Sequence, residues 1–412
     1  MSTGAPSAPT AREESRPRTA AAEVVVAVHT LNRARQAVPL LDGLAVALAK
    51  HFGARRTAVL VADAGSQDDT EAIAATWCEQ EPDGEPARVR VEVEAPAQRA
   101  RAVSALLRAA RDAGARAVAL VDADLPEVPE EWLRALLDPV LRGEADYVSP
   151  LYARAASEGT LTSNLLAPLL RALYGWRLQQ VSAGCAALSA TLLDQCLKSD
   201  EAGEWQPHGM EIWLTATAAV GDARLVEVPV GPRPVDTSGP QPDLATTLVR
   251  TVVPLFALME RDRARWEEVA GSRVVPRVGD APPPRPDAGT PSIERMIGAF
   301  KLGLKDLLPI WEQVMPEATL GRLYPLALLG ADEFTFPPEL WARAVIDFAV
   351  AYHERRLARD HLVRALTPLY LGRVAAFLGE ARARTPARLG EVLERVGEAF
   401  EAEKPHLVDR WR

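Results

Sequence analysis

The residues of this chain best placed to do chemistry are two carboxylates one residue apart, Asp122 and Asp124, which close the apolar run 117–121 (AVALV). Such a run predicts a buried strand. In an open α/β sheet, ligands gather at the carboxyl ends of the strands. Two carboxylates there can hold Mg2+ or Mn2+, and the cation can hold a diphosphate. Asp-x-Asp after an apolar run also serves as a plain turn and helix N-cap, so its neighbours must decide. Asp63 ends a second apolar run, 57–62 (TAVLVA), where a carboxylate can accept hydrogen bonds from a ribose or a base, or simply shape a turn. Glu211 stands near the start of a helical stretch. It can act as a general base, bind an acceptor hydroxyl, or be a solvated first-turn glutamate. Arg99 and Arg101 begin another helical stretch and can reach a diphosphate. Cys185, between glycine and alanine, reads as inert packing.

The elements that must position these residues follow from hydrophobic periodicity. Runs 23–28, 57–62, 88–93 and 117–121 predict strands, and 38–52 and 99–113 predict helices. Their alternation predicts an α/β fold with a parallel, doubly wound sheet. Right-handed crossovers then bring 29–32, 63–66 and 122–124 to one edge. Ser66 and Asp69 are spaced as a capping box for the helix after the second strand. Beyond residue 146, we expect a short strand at 147–150 and a loop leading to an apolar helix at 159–175. A small-residue strand or turn follows at 181–190, then a helix at 208–221, a strand at 224–230 and helix at 244–269. Four segments result: a disordered tail (1–21), the sheet domain (22–270), a Pro-rich linker (271–291) and an all-helical domain (292–412). In the last, Trp341, Val345, Phe348 and Tyr352 share a helix face, and PPELW (337–341) begins that helix with proline in its first turn.

Composition excludes several classes. The 412 residues are 48% hydrophobic and 25% charged, so a packed core is expected. A net charge of −9 argues against nucleic acid as a partner. The three cysteines show no zinc or disulfide spacing. No GxGxxG follows the first strand, and neither a P-loop nor GxSxG occurs. With no apolar leader and no run of 18 apolar residues, we expect no signal peptide, no membrane span and a cytoplasmic protein.

In this order, five stretches resemble the GT-A glycosyltransferases of the family 2-like group, and more narrowly the retaining glucosylglycerate, glucosyl-3-phosphoglycerate and mannosylglycerate synthases. They are VVAVHTLN (25–32), VADAGSQDDT (61–70), VDADLPE (121–127), the segment 147–175 and HGMEI (208–212). The C-terminal helices are similar to an extension found on some of these enzymes. The resemblance implies a GT-A domain with a C-terminal all-helical domain. It implies transfer of a hexose from a nucleotide-diphosphate sugar to a small hydroxy acid such as glycerate, with retention and with Mg2+ or Mn2+. Thr30, Leu31, Asn32, Asp63, Arg101 and Asp122 would then contact the nucleotide. Gly159, Thr160, Leu161, Thr162 and Glu211 would contact the acceptor. Asp124 and Glu211 take the catalytic roles, and Asp124, Asp122 and Asp236 the metal.

Departures from the pattern are specific. Arg33 stands where an acid follows the asparagine, and Arg99 or Arg101 must supply the charge of a missing Gly-Lys-Gly. Ala183-Gly184-Cys185 replaces a Gly-Gly-acid, and 231–239 lacks the metal histidine, leaving Asp236 to substitute. Phosphoglycerate users carry arginine where this chain has Thr160, which favours an unphosphorylated acceptor. The same departures suit an alternative, a catalytically degenerate homologue acting as a sugar-nucleotide-binding or assembly module. The apolar helical appendage suggests a homodimer.

Overall fold

The computed structural model describes residues 21–80, 86–201, 209–221, 223–234, 243–280, 285, 292–382 and 386–411. Apart from its last residue, the expected tail 1–21 lies outside them.

The β-branched and alanine-rich runs become the centre of a sheet. β1 (Val24–Thr30) and β4 (Ala117–Asp122) are buried along their whole length. β2 (Thr57–Asp63), β3 (Ala87–Arg90), β5 (Tyr147–Ala153), β7 (Cys185–Ser189) and β8 (Leu225–Pro232) complete seven strands, in the order β3-β2-β1-β4-β7-β5-β8. A separate pair joins β6 (Trp176–Arg177) to β9 (Arg273–Val274). Alternation along the strands feeds two cores. Val25, Ala27, Leu60 and Leu120 face α3 (Arg99–Asp112) and α6 (Ala190–Glu201), while Val24, Val26, Val59 and Val121 face α1 (Ala37–Phe52), α2 (Thr70–Glu79) and α4 (Glu130–Leu141). Burial on both faces is why these strands read as continuous apolar runs.

The first four strands are parallel, as the alternation predicts. The second half departs: β7 is antiparallel to both β4 and β5, so the sheet is mixed. Periodicity reports that a segment is a strand but not its direction, which the path of the connection decides.

After β5, one π-helical turn (Thr162–Leu166) leads into α5 (Ala167–Tyr174), which ends at Gly175 in the left-handed conformation. Then come α7 (Met210–Val220), α8 (Leu244–Arg261) and α9 (Arg263–Glu268), so the predicted helix 244–269 is two. The helical domain contains α10 (Ile293–Asp306), α11 (Leu308–Val314), α12 (Glu317–Leu320), α13 (Tyr324–Leu328), α14 (Pro338–His353), α15 (Arg359–Ala365), α16 (Thr367–Arg382) and α17 (Pro386–Arg410). Trp341, Val345, Phe348 and Tyr352 of α14 are buried, but so are Ala344, Ile346 and Ala349, so the helix is enclosed on more than one face. Among the described residues, Arg359–Arg382 is long and apolar enough to cross a membrane by length and composition, and 72% of its most apolar window is buried in the protein.

The linker reading changes in part. Residues 273–278 are strapped to the sheet domain through β9 and through Glu227, whose amide donates to Pro276 O at 2.9 Å and whose carbonyl accepts from Val278 N at 3.0 Å. The rest of the linker lies largely outside the described residues.

Candidate active site

Strand register builds the site. β1 pairs with β2 and β4 so that Thr30 lies opposite Asp63 and His29 opposite Asp122. Three adjacent strand ends therefore present their polar residues side by side.

Asp63 shapes its own loop. Its Oδ1 accepts from the amides of Gly65 (2.9 Å) and Ser66 (2.7 Å), and its Oδ2 accepts from the hydroxyls of Thr30 (2.9 Å) and Ser66 (2.6 Å). Asn32, in the left-handed region with φ 54°, donates its amide to Ser66 Oγ at 2.8 Å and accepts from Gln67 N at 2.7 Å. The capping box of Ser66 and Asp69 does not form. Ser66 turns back to Asp63, and Asp68 instead receives the first-turn amide of Thr70 at 3.1 Å. The Leu31 side chain packs against the apolar core, so only its backbone is left for the loop.

The carboxylate pair is intact and clamped. Arg99 donates through Nη1 to Asp122 Oδ2 at 2.7 Å and through Nη2 to Asp124 Oδ2 at 2.8 Å. Arg33 Nη2 stands 2.7 Å from Asp124 Oδ1, and Asp122 Oδ1 accepts the Asp124 amide at 2.9 Å. Burial would raise the Asp124 pKa, but Arg99 and then Arg33 hold it below the ordinary carboxylate range. Burial likewise opposes the charge on Arg99, yet Asp122 and Asp124 raise its pKa overall. Arg101 is not part of this cluster. Its guanidinium donates to Ala95 O at 2.7 Å, because two residues along a helix face different sides. Arg99 alone answers the expectation of a basic residue here.

Glu211, in the first turn of α7, is half-buried rather than solvated and accepts a hydrogen bond from the Ser182 hydroxyl. Burial, then the nearby Asp122 charge, raises its pKa. Buried Cys185 has its thiol pushed up to about 12 by burial, consistent with inert packing. Asp236 and His208 lie outside the described residues.

Hard carboxylate oxygens suit Mg2+ or Mn2+. Among the described residues, no three His, Cys, Asp or Glu side chains gather as a metal cage. Asp122 and Asp124 do converge, and the point of convergence is taken by the Arg99 guanidinium. Mg2+ commonly uses one or two carboxylates with waters and substrate phosphates, so this pair fits a cation that arrives with a diphosphate as Arg99 yields.

Beside this edge lies a cavity of about 640 Å³, walled by the segment after β5, by β8, by the 274–277 strap and by α16 and α17. Its wall is one hydrogen bond from the Glu211 environment: Tyr152 OH donates to Ala183 O at 2.7 Å, and Gln180 Nε2 donates to Ser182 O at 3.0 Å. Gly159, with φ 64°, and Thr162 line it, whereas Leu161 packs against the core and Thr160 Oγ1 pairs with Tyr370 OH at 2.7 Å. Three charged residues of its wall, Arg154, Arg277 and Glu227, were not singled out by the sequence reading, although Arg154 lies within the 147–175 stretch. Glu227 sits mid-strand, where an isolated acid among apolar residues was the only signal. Its pKa is raised to about 7 by burial.

Residues 26–195 match the family model described as Glycosyl transferase family 2. Over this stretch the chain is similar to a family 2 glycosyltransferase domain. This family 2-like match carries Asp63, Asp122, Asp124 and the 159–162 segment, and it ends before Glu211 and the helical domain. Among solved structures, the chain is similar to glucosyl-3-phosphoglycerate synthase from Mycobacterium tuberculosis in complex with Mn2+, UDP and phosphoglyceric acid. The identity is 23% and the TM-score 0.42, covering 58% of this chain and 78% of that one. Mannosyl-3-phosphoglycerate synthase from Rubrobacter xylanophilus is 17% identical over 66% of this chain and 79% of that one, with a TM-score of 0.42. A mannosyltransferase from Pyrobaculum calidifontis in complex with GDP-Man and Mn2+ is 18% identical over 95% and 91%, with a TM-score of 0.40. Among curated proteins, none matches the chain.

Proposed function

We propose that this protein moves a hexose from a nucleotide-diphosphate sugar to a hydroxy-acid acceptor, with retention of configuration and with Mg2+ or Mn2+. The observation that carries the reading is the alignment of Thr30, Asp63, His29 and Asp122 across three hydrogen-bonded strand ends, beside a cavity of about 640 Å³.

In this reading the 30–32 loop and the Asp63 turn seat the nucleoside. Because four hydrogen bonds from its own chain already reach the Asp63 carboxylate, its first duty is to hold that loop in shape. Asp122 and Asp124 hold the cation, which when bound neutralises charge on the leaving diphosphate. Arg99 and Arg33 neutralise the two carboxylates beforehand and remain close enough to meet the diphosphate. Glu211 accepts a hydrogen bond from the acceptor hydroxyl and orients it. In front-face transfer the leaving phosphate oxygen takes the hydroxyl proton as the new glycosidic bond forms, so no protein nucleophile is required, and the inert Cys185 is no obstacle.

The test is a screen of UDP-, GDP- and ADP-sugars with glycerate and 3-phosphoglycerate. Nucleoside diphosphate release is read with and without Mn2+, and the product anomer by NMR. Release that needs Mn2+ and yields a retained anomer is expected. Release from no donor, together with no nucleotide-dependent thermal shift, would sink the proposal; a shift without release would point to a binding module.

A further inference from the structure

The charged groups on the wall of the cavity beside the sheet edge are only partly paired. Its wall holds four arginines, Arg154, Arg171, Arg177 and Arg277, against three glutamates, Glu158, Glu227 and Glu394. Most are matched. Arg171 and Arg177 each stand 2.9 Å from Glu394, Arg171 is also 2.7 Å from Glu401, and Arg277 is 3.9 Å from Glu227. Arg154 differs. Among the described residues it has no carboxylate at ion-pair distance; its guanidinium lies 5.5 Å from the Tyr152 ring centroid. It also fills the space over Gly159, where an added Cβ would fall 1.6 Å from Nη1. Burial, then repulsion from Arg233, lowers its pKa to about 10. A half-buried cation next to a like charge is stabilised by an anion.

The far wall is different in kind. Phe377, Leu389, Leu393 and Val275 present apolar surface from the helical domain and the strap. At about 640 Å³, the space lies within the range of roughly 300–1,000 Å³ that encloses a drug-sized ligand, well beyond the needs of glycerate.

We infer that this cavity binds a carboxylic acid with an apolar side chain, its carboxylate on Arg154 and its apolar portion against Phe377, Leu389 and Leu393. Arg154 offers one guanidinium with no carboxylate at ion-pair distance among the described residues, which matches a single carboxylate. Calling the bound molecule an acceptor rests on the proposed transferase reading; the binding itself does not.

Calorimetric titration of the full chain with 3-phenyllactate, glycerate, phenyl phosphate and uncharged 2-phenylethanol tests this. 3-Phenyllactate is expected to bind at least tenfold more tightly than each of the others. Arg154→Gln should weaken it at least tenfold, and Arg154→Lys should restore part of the loss. Leu393→Ala should weaken 3-phenyllactate and leave glycerate unchanged. Gly159→Ala, which displaces the Arg154 guanidinium, gives a second route to the same loss if Arg154→Gln does not fold. Equal binding of glycerate and 3-phenyllactate, tighter binding of phenyl phosphate, or undiminished binding by both Arg154→Gln and Gly159→Ala would overturn the inference. Nucleoside diphosphates titrated into the same proteins separate the two claims. If no nucleotide binds but 3-phenyllactate still depends on Arg154, the transferase reading fails and the cavity stands.

Discussion

The sheet edge and the cavity lie side by side but are assembled in opposite ways. At the edge, the polar groups come from strand ends already in register, and each carboxylate is met by a group from the same small set of loops: Asp63 by Thr30 and Ser66, Asp122 and Asp124 by Arg99 and Arg33. In the cavity, the walls come from distant parts of the chain. Thr160 meets Tyr370 across 210 residues, Arg171 meets Glu401 across 230, and Trp341 Nε1 donates to Asn164 O across 177. The edge is electrostatically closed and awaits a partner that can displace an arginine. The cavity is walled in part by the helical domain and, among the described residues, leaves Arg154 without a carboxylate at ion-pair distance.

The largest effect should break the edge alone. Asp124→Ala is expected to lower turnover by about 10²–10³-fold, the scale of losing one preorganised charge-stabilising group. Mn2+-dependent thermal stabilisation by nucleoside diphosphate should vanish with it, while 3-phenyllactate binding stays within twofold. Loss of both would show that the two regions are not separable.

The regions should also answer pH with opposite signs. The Asp124 pKa is lowered in the folded protein, so its contribution is present above the ordinary carboxylate pKa and lost as pH falls through the lowered value. The Glu227 pKa is raised from 4.5 to about 7, so the folded state holds that proton more tightly and stability falls as pH rises between those values. At about 1.4 kcal/mol per pKa unit, the wild type should lose about 3 kcal/mol relative to Glu227→Gln across that window. Urea titrations at a series of pH values measure this difference; parallel curves for the two proteins would refute it.

A smaller effect tests the clamp. Arg99→Ala removes the cation that occupies the meeting point of Asp122 and Asp124, so Mn2+ binding without nucleotide should tighten by about tenfold, or ~1.4 kcal/mol. Electron paramagnetic resonance of free Mn2+ reads this directly, and unchanged affinity would mean that Arg99 is not the competitor. The smallest effect loosens the cavity. Tyr370→Phe deletes the bond to Thr160 and should cost about 1 kcal/mol of stability. It should weaken acceptor binding a few-fold and leave nucleotide binding untouched, which paired titrations would show.

Strand identity was legible because a strand buried on both faces must be apolar throughout, and the 24–28, 58–62 and 117–121 runs satisfy that. Once these strands are parallel neighbours, Asp63 and Asp122 have nowhere to go but the same edge. The amino-acid sequence therefore determined, by itself, the parallel half of the sheet, its polar edge and the carboxylate pair. Tertiary structure decided which arginine serves the pair, since Arg99 and Arg101 are alike in type and differ only in the side of α3 they occupy. It also decided the direction of β7, the strapping of 273–278 and the whole of the cavity, including Arg154 and Glu227. Periodicity encodes burial over a few residues. Contacts between side chains two hundred residues apart exist only once the helical domain has docked on α5, and no local pattern records them.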